Sequence, residues 1–269
     1  MTEIAMPIHV HVRPEIVLLA PSMTEIPGCL GAVRTDPEVH GVLLSDLQRL
    51  RGRVYLEDGD IRPEQLTIDG LHCQEADARS WHIVLVAVDG SVAGCARFSP
   101  HLEPVCYQNL NAARSELAKT DGYRLEKAVQ ADIRQAAFRN LHYVEVGGWA
   151  LAPELRCSTA AVTIALTAFA LAERLGGCLG ITTATRNHGS ASILRRLGGR
   201  PIEWEGVPLP SYFDPQYNCE MEILRFDSTM RNARYAPRIA ELQATLTETP
   251  VICLNQSRTS RPAKRFAAA

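Results

Sequence analysis

The chain has 269 residues, 46% hydrophobic and 22% charged, with a formal net charge of −2. At about 150 residues per domain that length holds one large or two small domains, and the composition suits a chain that buries a full core. The near-neutral charge supplies no global basic field for nucleic acid or an anionic membrane. Glu3, His9, His11 and Arg13 precede any apolar run, so the start does not read as a secretory signal. The longest apolar stretch, 160–172, is broken by Thr163 and Thr167 and falls short of the roughly 20 residues a membrane span needs. Eight cysteines occur without a CxxC or a Cys/His cluster at zinc spacing, which predicts reduced thiols, no metal site and a cytoplasmic location.

In chain order, residues 1–37 carry five prolines and read as an irregular arm with one strand at 16–20. The apolar residues Leu43, Leu44, Leu47, Leu50, Val54 and Tyr55 recur at helical spacing over 42–57. Two strands, 82–88 and 92–98, flank an Asp89-Gly90 turn. Two polar helical segments, 109–119 and 124–139, fill an insertion at 100–140. A strand at 143–151 then ends at Pro153, and an Ala- and Thr-rich helix runs over 158–175 to Gly176-Gly177. A strand at 178–183, a helix at 187–197, strands at 201–204 and 219–226, and a charged helix near 231–246 complete the pattern. A basic tail follows. The order predicts a mixed α/β sheet flanked by helices, with a helical insertion between the third and fourth strands. We divide it into an arm (1–37), a central domain (38–227) and a C-terminal helix and tail (228–269).

The chemistry concentrates in YVEVGGWALAPELRCSTAA, 143–161. Strand, loop and helix start follow one another there, and Cys157, Ser158, Thr159, Ala160 and Ala161 are small enough to let a ligand reach the backbone. Free amides at a helix start, with the helix dipole, bind anions, and Arg156 adds a forked donor suited to phosphate. A plain helix cap is the simpler reading. In a regular strand Tyr143, Glu145, Gly147 and Trp149 share one face. A carboxylate there is placed to accept a proton from an ammonium, or simply to pair with Arg97 on the adjacent strand. Gly147-Gly148 reads as a bulge or as close backbone packing. His142, His188 and Cys157 are weaker candidates for base or nucleophile, since no partner is placed beside them.

These residues resemble the GNAT acyltransferase superfamily. Its Q/R-x-x-G-x-G/A phosphate loop corresponds to Arg156-x-x-Thr159-x-Ala161, and its next element to Asn187, Ser190 and Leu197-Gly198. The first half is similar to the branch of acyl-homoserine-lactone synthases, N-acyl amino acid synthases and exosortase-associated acyltransferases. The matched positions are Arg51 and Tyr55 on a helix, Asp77-x-x-Ser80-x-His82 before a strand, Arg97 in the next strand, and Glu145. Thr159 stands where Gly is preferred, Leu194 where many members carry a tyrosine acid, Gly147-Gly148 where a Ser-Arg pair occurs, and Gln74 where the lactone synthases have a further Asp. The last two changes point away from lactone synthesis.

The resemblance implies a GNAT fold and transfer of an acyl group, medium or long in chain, from a phosphopantetheine thioester to the amine of an amino acid or similar small molecule. The co-substrate is acyl-CoA or acyl-ACP, with no permanently bound cofactor, and acyl carrier protein is a candidate partner. Glu145 and the Gly148 backbone carry catalysis in this reading. Arg51, Tyr55, Asp77, Arg97 and Trp149 bind substrate, while Leu151, 156–161, Asn187 and Ser190 bind the donor. An acetyl-CoA-dependent acetyltransferase, a lactone synthase and a non-catalytic acyl-ligand binding protein are the alternatives. The insertion is expected to cover an acyl tunnel or to decorate it.

Overall fold

A computed structural model describes residues 14–22, 25–187 and 189–255; His188 and the basic tail lie outside them. The chain opens with strands β1 (Glu15–Leu19) and β2 (Val33–Thr35). Helix α1 (Pro37–Glu57) starts five residues before its apolar periodicity because Asp36 caps it: Asp36 Oδ1 accepts from the Val39 amide at 3.0 Å, and Pro37 fills the first turn. Strands β3 (Trp81–Val86) and β4 (Val92–Pro100) form the expected hairpin, with Gly90 at φ +85° in its turn. The insertion holds short turns and helices α2 (Glu116–Thr120) and α3 (Gly122–Phe138). Then come β5 (His142–Leu151), α4 (Ala160–Arg174), β6 (Cys178–Thr185) and α5 (Ser190–Leu197). Four short strands follow, β7 (Arg200–Pro201), β8 (Glu203–Trp204), β9 (Val207–Pro208) and β10 (Tyr212–Asp214). The described chain closes with β11 (Cys219–Asp227), α6 (Ala236–Thr245) and β12 (Val251–Cys253).

The main sheet runs β10-β11-β6-β5-β4-β3-β1-β12-β2, with β7 beside β11. It is mixed, as the element order predicted: β5 and β6 are parallel through α4, and β12 lies parallel between β1 and β2. Both ends of the described chain therefore complete the same sheet edge. One face packs against α4, α5 and α6 through Ile83, Phe98, Val144, Ile164, Leu171, Leu194 and Ile239. The other face is shared. Helix α1 covers β1, β3 and β4 through Leu47, Leu50, Val54 and Val84. The insertion covers β5, β6 and β11 through Leu117, Leu125, Val129, Tyr143, Ile181 and Ile223. Its helices are thus a structural layer with a core of their own. No described helix is long and apolar enough to cross a membrane.

Candidate active site

Strand β5 pairs with β4 along its length, from Pro100↔Val144 to Gly94↔Leu151, but with β6 only as far as Val146↔Thr182. Beyond that point β6 continues with β11 to Thr185↔Met221. The sheet therefore opens between β5 and β6 at Gly147, and the β5 edge beyond it has no strand partner on that side. A bulge sits at the opening, because the register jumps from Arg97↔Gly147 to Cys95↔Ala150. Gly148 holds φ +60°, and a Cβ on it would lie 3.0 Å from Arg51 Nη1 and 3.4 Å from Arg97 Cβ. Conformation and close approach both require glycine there.

The bulge reverses the strand's phase. Gly147 and Gly148 both face the α1 side, near Arg97 and Arg51, whereas Trp149 and Leu151 join the α4-side core and Ala150 the α1-side core. Trp149 is thus on the face opposite Glu145, a correction to the regular alternation assumed from sequence. Its carbonyl accepts from Tyr55 Oη at 3.3 Å, and the Tyr55 ring meets His72 and Tyr217 edge-on at centroid distances of 5.5 and 6.3 Å.

Beneath the opening lies a buried charge cluster. Arg51 holds Asp77 through Nη1–Oδ1 at 3.1 Å and Nη2–Oδ2 at 2.6 Å, and Nη2 also donates to the His72 carbonyl. Arg97 Nη1 meets Asp77 Oδ1 at 3.1 Å and donates to Gln74. Gln48 adds a bond to Asp77 Oδ2 at 2.9 Å. Burial pushes the Asp77 carboxyl up, but the Arg51 hydrogen bonds and the two guanidinium charges outweigh it and hold the group well below the usual carboxylate range. Burial, helped by Arg51, lowers His72 to about 4; burial alone leads for His82, also at about 4, whose Nε2 meets the Asp77 carbonyl at 2.9 Å. Both imidazoles are therefore neutral at pH 7. Two guanidiniums around one carboxylate leave the cluster with net positive charge. Arg97 Nη2 lies 3.6 Å from the position a Gly147 Cβ would take, facing the opening.

Arg97 does not pair with Glu145, contrary to the simpler sequence reading. The insertion holds Glu145 instead. Its Oε2 accepts from the Asn111 amide at 3.1 Å and from Asn111 Nδ2 at 3.2 Å and lies 3.2 Å from His101 Nε2; Oε1 accepts from the Ala112 amide at 3.2 Å. Hydrogen-bond donors surround a carboxylate that is 8% exposed. Sequence reasoning missed His101, Asn111 and Ala112 altogether. It also missed Tyr212, Asp214 and Tyr217, which the β10–β11 hairpin brings to the same site.

The loop before α4 holds Arg156 differently from expectation. Its guanidinium bonds both oxygens of Asp58, each at 3.0 Å, at the C-terminus of α1. Cys157 adopts φ +62°. Thr159 is the N-cap residue of α4 but makes no side-chain capping bond, and Ser158 Oγ accepts from the Ala160 amide at 3.1 Å instead. Ser190 Oγ is bonded to Thr185. A single cleft of about 960 Å³ is lined by Tyr55, Arg97, Glu145, Gly148, Trp149, Leu151, Arg156, Cys157, Ser158, Ala161 and Ser190 among the predicted site residues. Arg51 and Asp77 lie under it, while Thr159, Ala160 and Asn187 fall outside its lining. His142 is exposed at the start of β5.

The two halves of the cleft differ in chemistry. On the α1 side Tyr55, Gln74, Arg97, Asn111, Glu145 and Tyr217 line it. On the α4 side Ala161, Ala165, Ala168, Phe169, Ala172 and Phe226 do; the four alanines share one helix face.

No family model matches the chain, and no curated protein matches it in sequence. Among solved structures, the CoA-dependent acyl-homoserine lactone synthase BjaI with MTA superposes at a TM-score of 0.53 with 10% identity, over 93% of this chain and 94% of that one. The chain has the fold of the acyl-homoserine lactone synthases. TofI, in a ternary complex with an inhibitor and MTA, gives 0.52 at 15% identity over 86% and 99%. FeeM, an N-acyl amino acid synthase from uncultured soil microbes, gives 0.47 at 11% identity over 80% and 92%. The mixed sheet read from the element order is the one observed, with the fold that the motif resemblance implied.

Proposed function

We propose that this protein is an N-acyltransferase that moves a medium or long acyl chain from a phosphopantetheine thioester, of coenzyme A or acyl carrier protein, to the amine of an amino acid or similar small acceptor. The observation that carries this reading is one cleft passing through an opening in the sheet, polar on one side and apolar on the other, with Glu145 and a free strand edge at the junction. Transfer of a lipid chain to a polar amine needs both chemistries to meet at one carbon atom.

In this account the pantetheine arm lies along the free β5 edge beyond Gly147, with its phosphate at the start of α4. Arg156 reaches that phosphate only by loosening its pair with Asp58. The acyl chain follows the alanine face of α4. From Ala161 to Ala172 that face is about 16 Å long at the helical rise, which matches a chain of about twelve carbons. The free face of Arg97 takes the acceptor's carboxylate, and the net positive charge below supports an anion there. Glu145 removes a proton from the acceptor's ammonium. The amine attacks the thioester carbonyl, amides of 148–151 on the open edge stabilise the oxyanion, and the C–S bond breaks as the thiolate leaves. Leu194 lines the apolar half of the cleft, so no tyrosine at that position protonates the thiolate; the second proton of the attacking nitrogen can satisfy it.

The test is thiol release by the purified protein with a panel of acyl-CoA and acyl-ACP thioesters and mixed amino acids. Thiol release that needs both substrates, with an amide product, supports the reading. Binding without thiol release supports the silent acyl-ligand binder instead.

A further inference from the structure

Acyl transfer from a thioester to an ammonium has a fixed proton count. The nitrogen begins with three hydrogens and the amide keeps one. One of the two lost leaves on the thiol, and the other must reach solvent in every turnover. If Glu145 accepts that proton, Glu145 must also pass it on, and the environment of Glu145 restricts how.

The Asn111 amide, Asn111 Nδ2 and the Ala112 amide are donors and cannot accept a proton. His101 is the titratable group in contact with the carboxylate, with Nε2 3.2 Å from Oε2. It follows the end of β4, its amide bonded to the Tyr143 carbonyl at 3.0 Å. Its side chain is 15% exposed against 10% for Glu145, and it is absent from the cleft lining. It therefore stands behind the carboxylate, on the side away from substrate. The other titratable groups nearby are committed elsewhere or closed off from solvent. Arg97 on β4 is bound to Asp77. Tyr143, two residues before Glu145 on the same face, is fully buried, and Asp132 of α3 pairs with Arg225 of β11 at 2.7 Å.

We infer that His101 is the proton outlet of Glu145, a positioning residue that holds the carboxylate and carries its proton to solvent. The inference rests on the reading of Glu145 as base. The proton taken from the acceptor's ammonium passes from the Glu145 carboxyl to His101 Nε2 in the tautomer that carries its hydrogen on Nδ1, which regenerates the carboxylate and leaves an imidazolium. The imidazolium then releases one proton to water or buffer, and exchange of the ring protons with solvent restores the Nδ1–H tautomer before the next turnover. No electrons change hands and no co-reactant is required.

His101→Gln keeps a hydrogen-bond donor for Glu145 but cannot titrate. Thiol release is measured from pH 6 to 9 at low buffer and with rising imidazole. The variant should lose about tenfold in kcat at low buffer, less than the roughly 10²–10⁴-fold a direct general acid or base supplies, as befits a group acting through Glu145. Added imidazole should restore it, while the KM for the thioester stays at the wild-type value and wild-type turnover is insensitive to imidazole. Equal kcat in variant and wild type at low buffer overturns the inference, as does a loss that imidazole does not relieve. A wild type that turns over no thioester removes the underlying function as well, which separates the two failures. His101→Asn gives the same readout should the glutamine variant not fold.

Discussion

Arg97 and Glu145 sit on neighbouring strands and line the same cleft, yet each is held by a different part of the chain: Arg97 by Asp77 at 3.1 Å, and Glu145 by Asn111, Ala112 and His101 of the insertion. This separation keeps a cation and an anion apart on the wall of one cleft. Under the proposed function, an amino-acid acceptor would present its carboxylate to Arg97 and its ammonium to Glu145.

The first prediction concerns the cluster that fixes Arg97. Asp77→Asn leaves two buried guanidiniums with no counter-charge, and breaking a buried pair in this way costs about 3–5 kcal/mol. Urea unfolding should show that loss. A midpoint equal to wild type would mean the guanidiniums find water or another acceptor.

Stability should fall with pH well before general acid unfolding. His72 and His82 titrate at about 4 in the fold, against about 6.5 in an unfolded chain. Because the folded values are the lower ones, the unfolded chain holds more protons between those limits, and stability rises with pH across them. The contribution is fully present above about pH 6.5 and is lost as pH falls to about 4. Asp77, also held below its unfolded value, adds a further loss from about pH 4 downward. Urea midpoints at pH 7, 6, 5 and 4.5 should decline steadily; a flat profile from 7 to 5 would contradict the burial of neutral imidazoles.

Gly148→Ala tests the bulge. A side chain at φ +60°, 3.0 Å from Arg51 Nη1, should cost about 1–3 kcal/mol, and it should lower kcat because the edge amides move with the bulge. Circular dichroism melts and thiol release measure the two effects. Full activity with unchanged melting would place the oxyanion site elsewhere.

Ala168→Phe narrows the apolar half of the cleft midway along α4. Competition among acyl thioesters of graded length should then favour products about four to six carbons shorter, by the helical rise separating residue 168 from the end of the alanine face. An unchanged product distribution would put the chain in another path.

Much of this site was legible in the sequence because its key residues lie inside regular elements. Arg51 on a periodic helix, Asp77 before a strand and Arg97 and Glu145 within strands converge once the hairpin and the parallel β5–β6 pair form. Three features were not legible. The bulge moved Trp149 to the opposite face, since one extra residue inverts a period-two pattern and only its glycines hint at it. The anchors of Glu145 are backbone amides and a histidine from an insertion without periodicity, and a backbone donor has no sequence signature. Arg156 reads as a phosphate ligand, but its partner Asp58 stands 98 residues earlier, and pairing over that distance depends on the fold.

The most direct measurement is mass spectrometry of extracts from bacteria expressing the wild type or Glu145→Gln. The account predicts a family of N-acyl products spaced by CH₂ pairs with the wild type, and their reduction by about 10²–10⁴-fold in the variant. Equal product levels from both proteins would remove Glu145 from the chemistry. Lipid products lacking an amide would contradict N-acyl transfer itself.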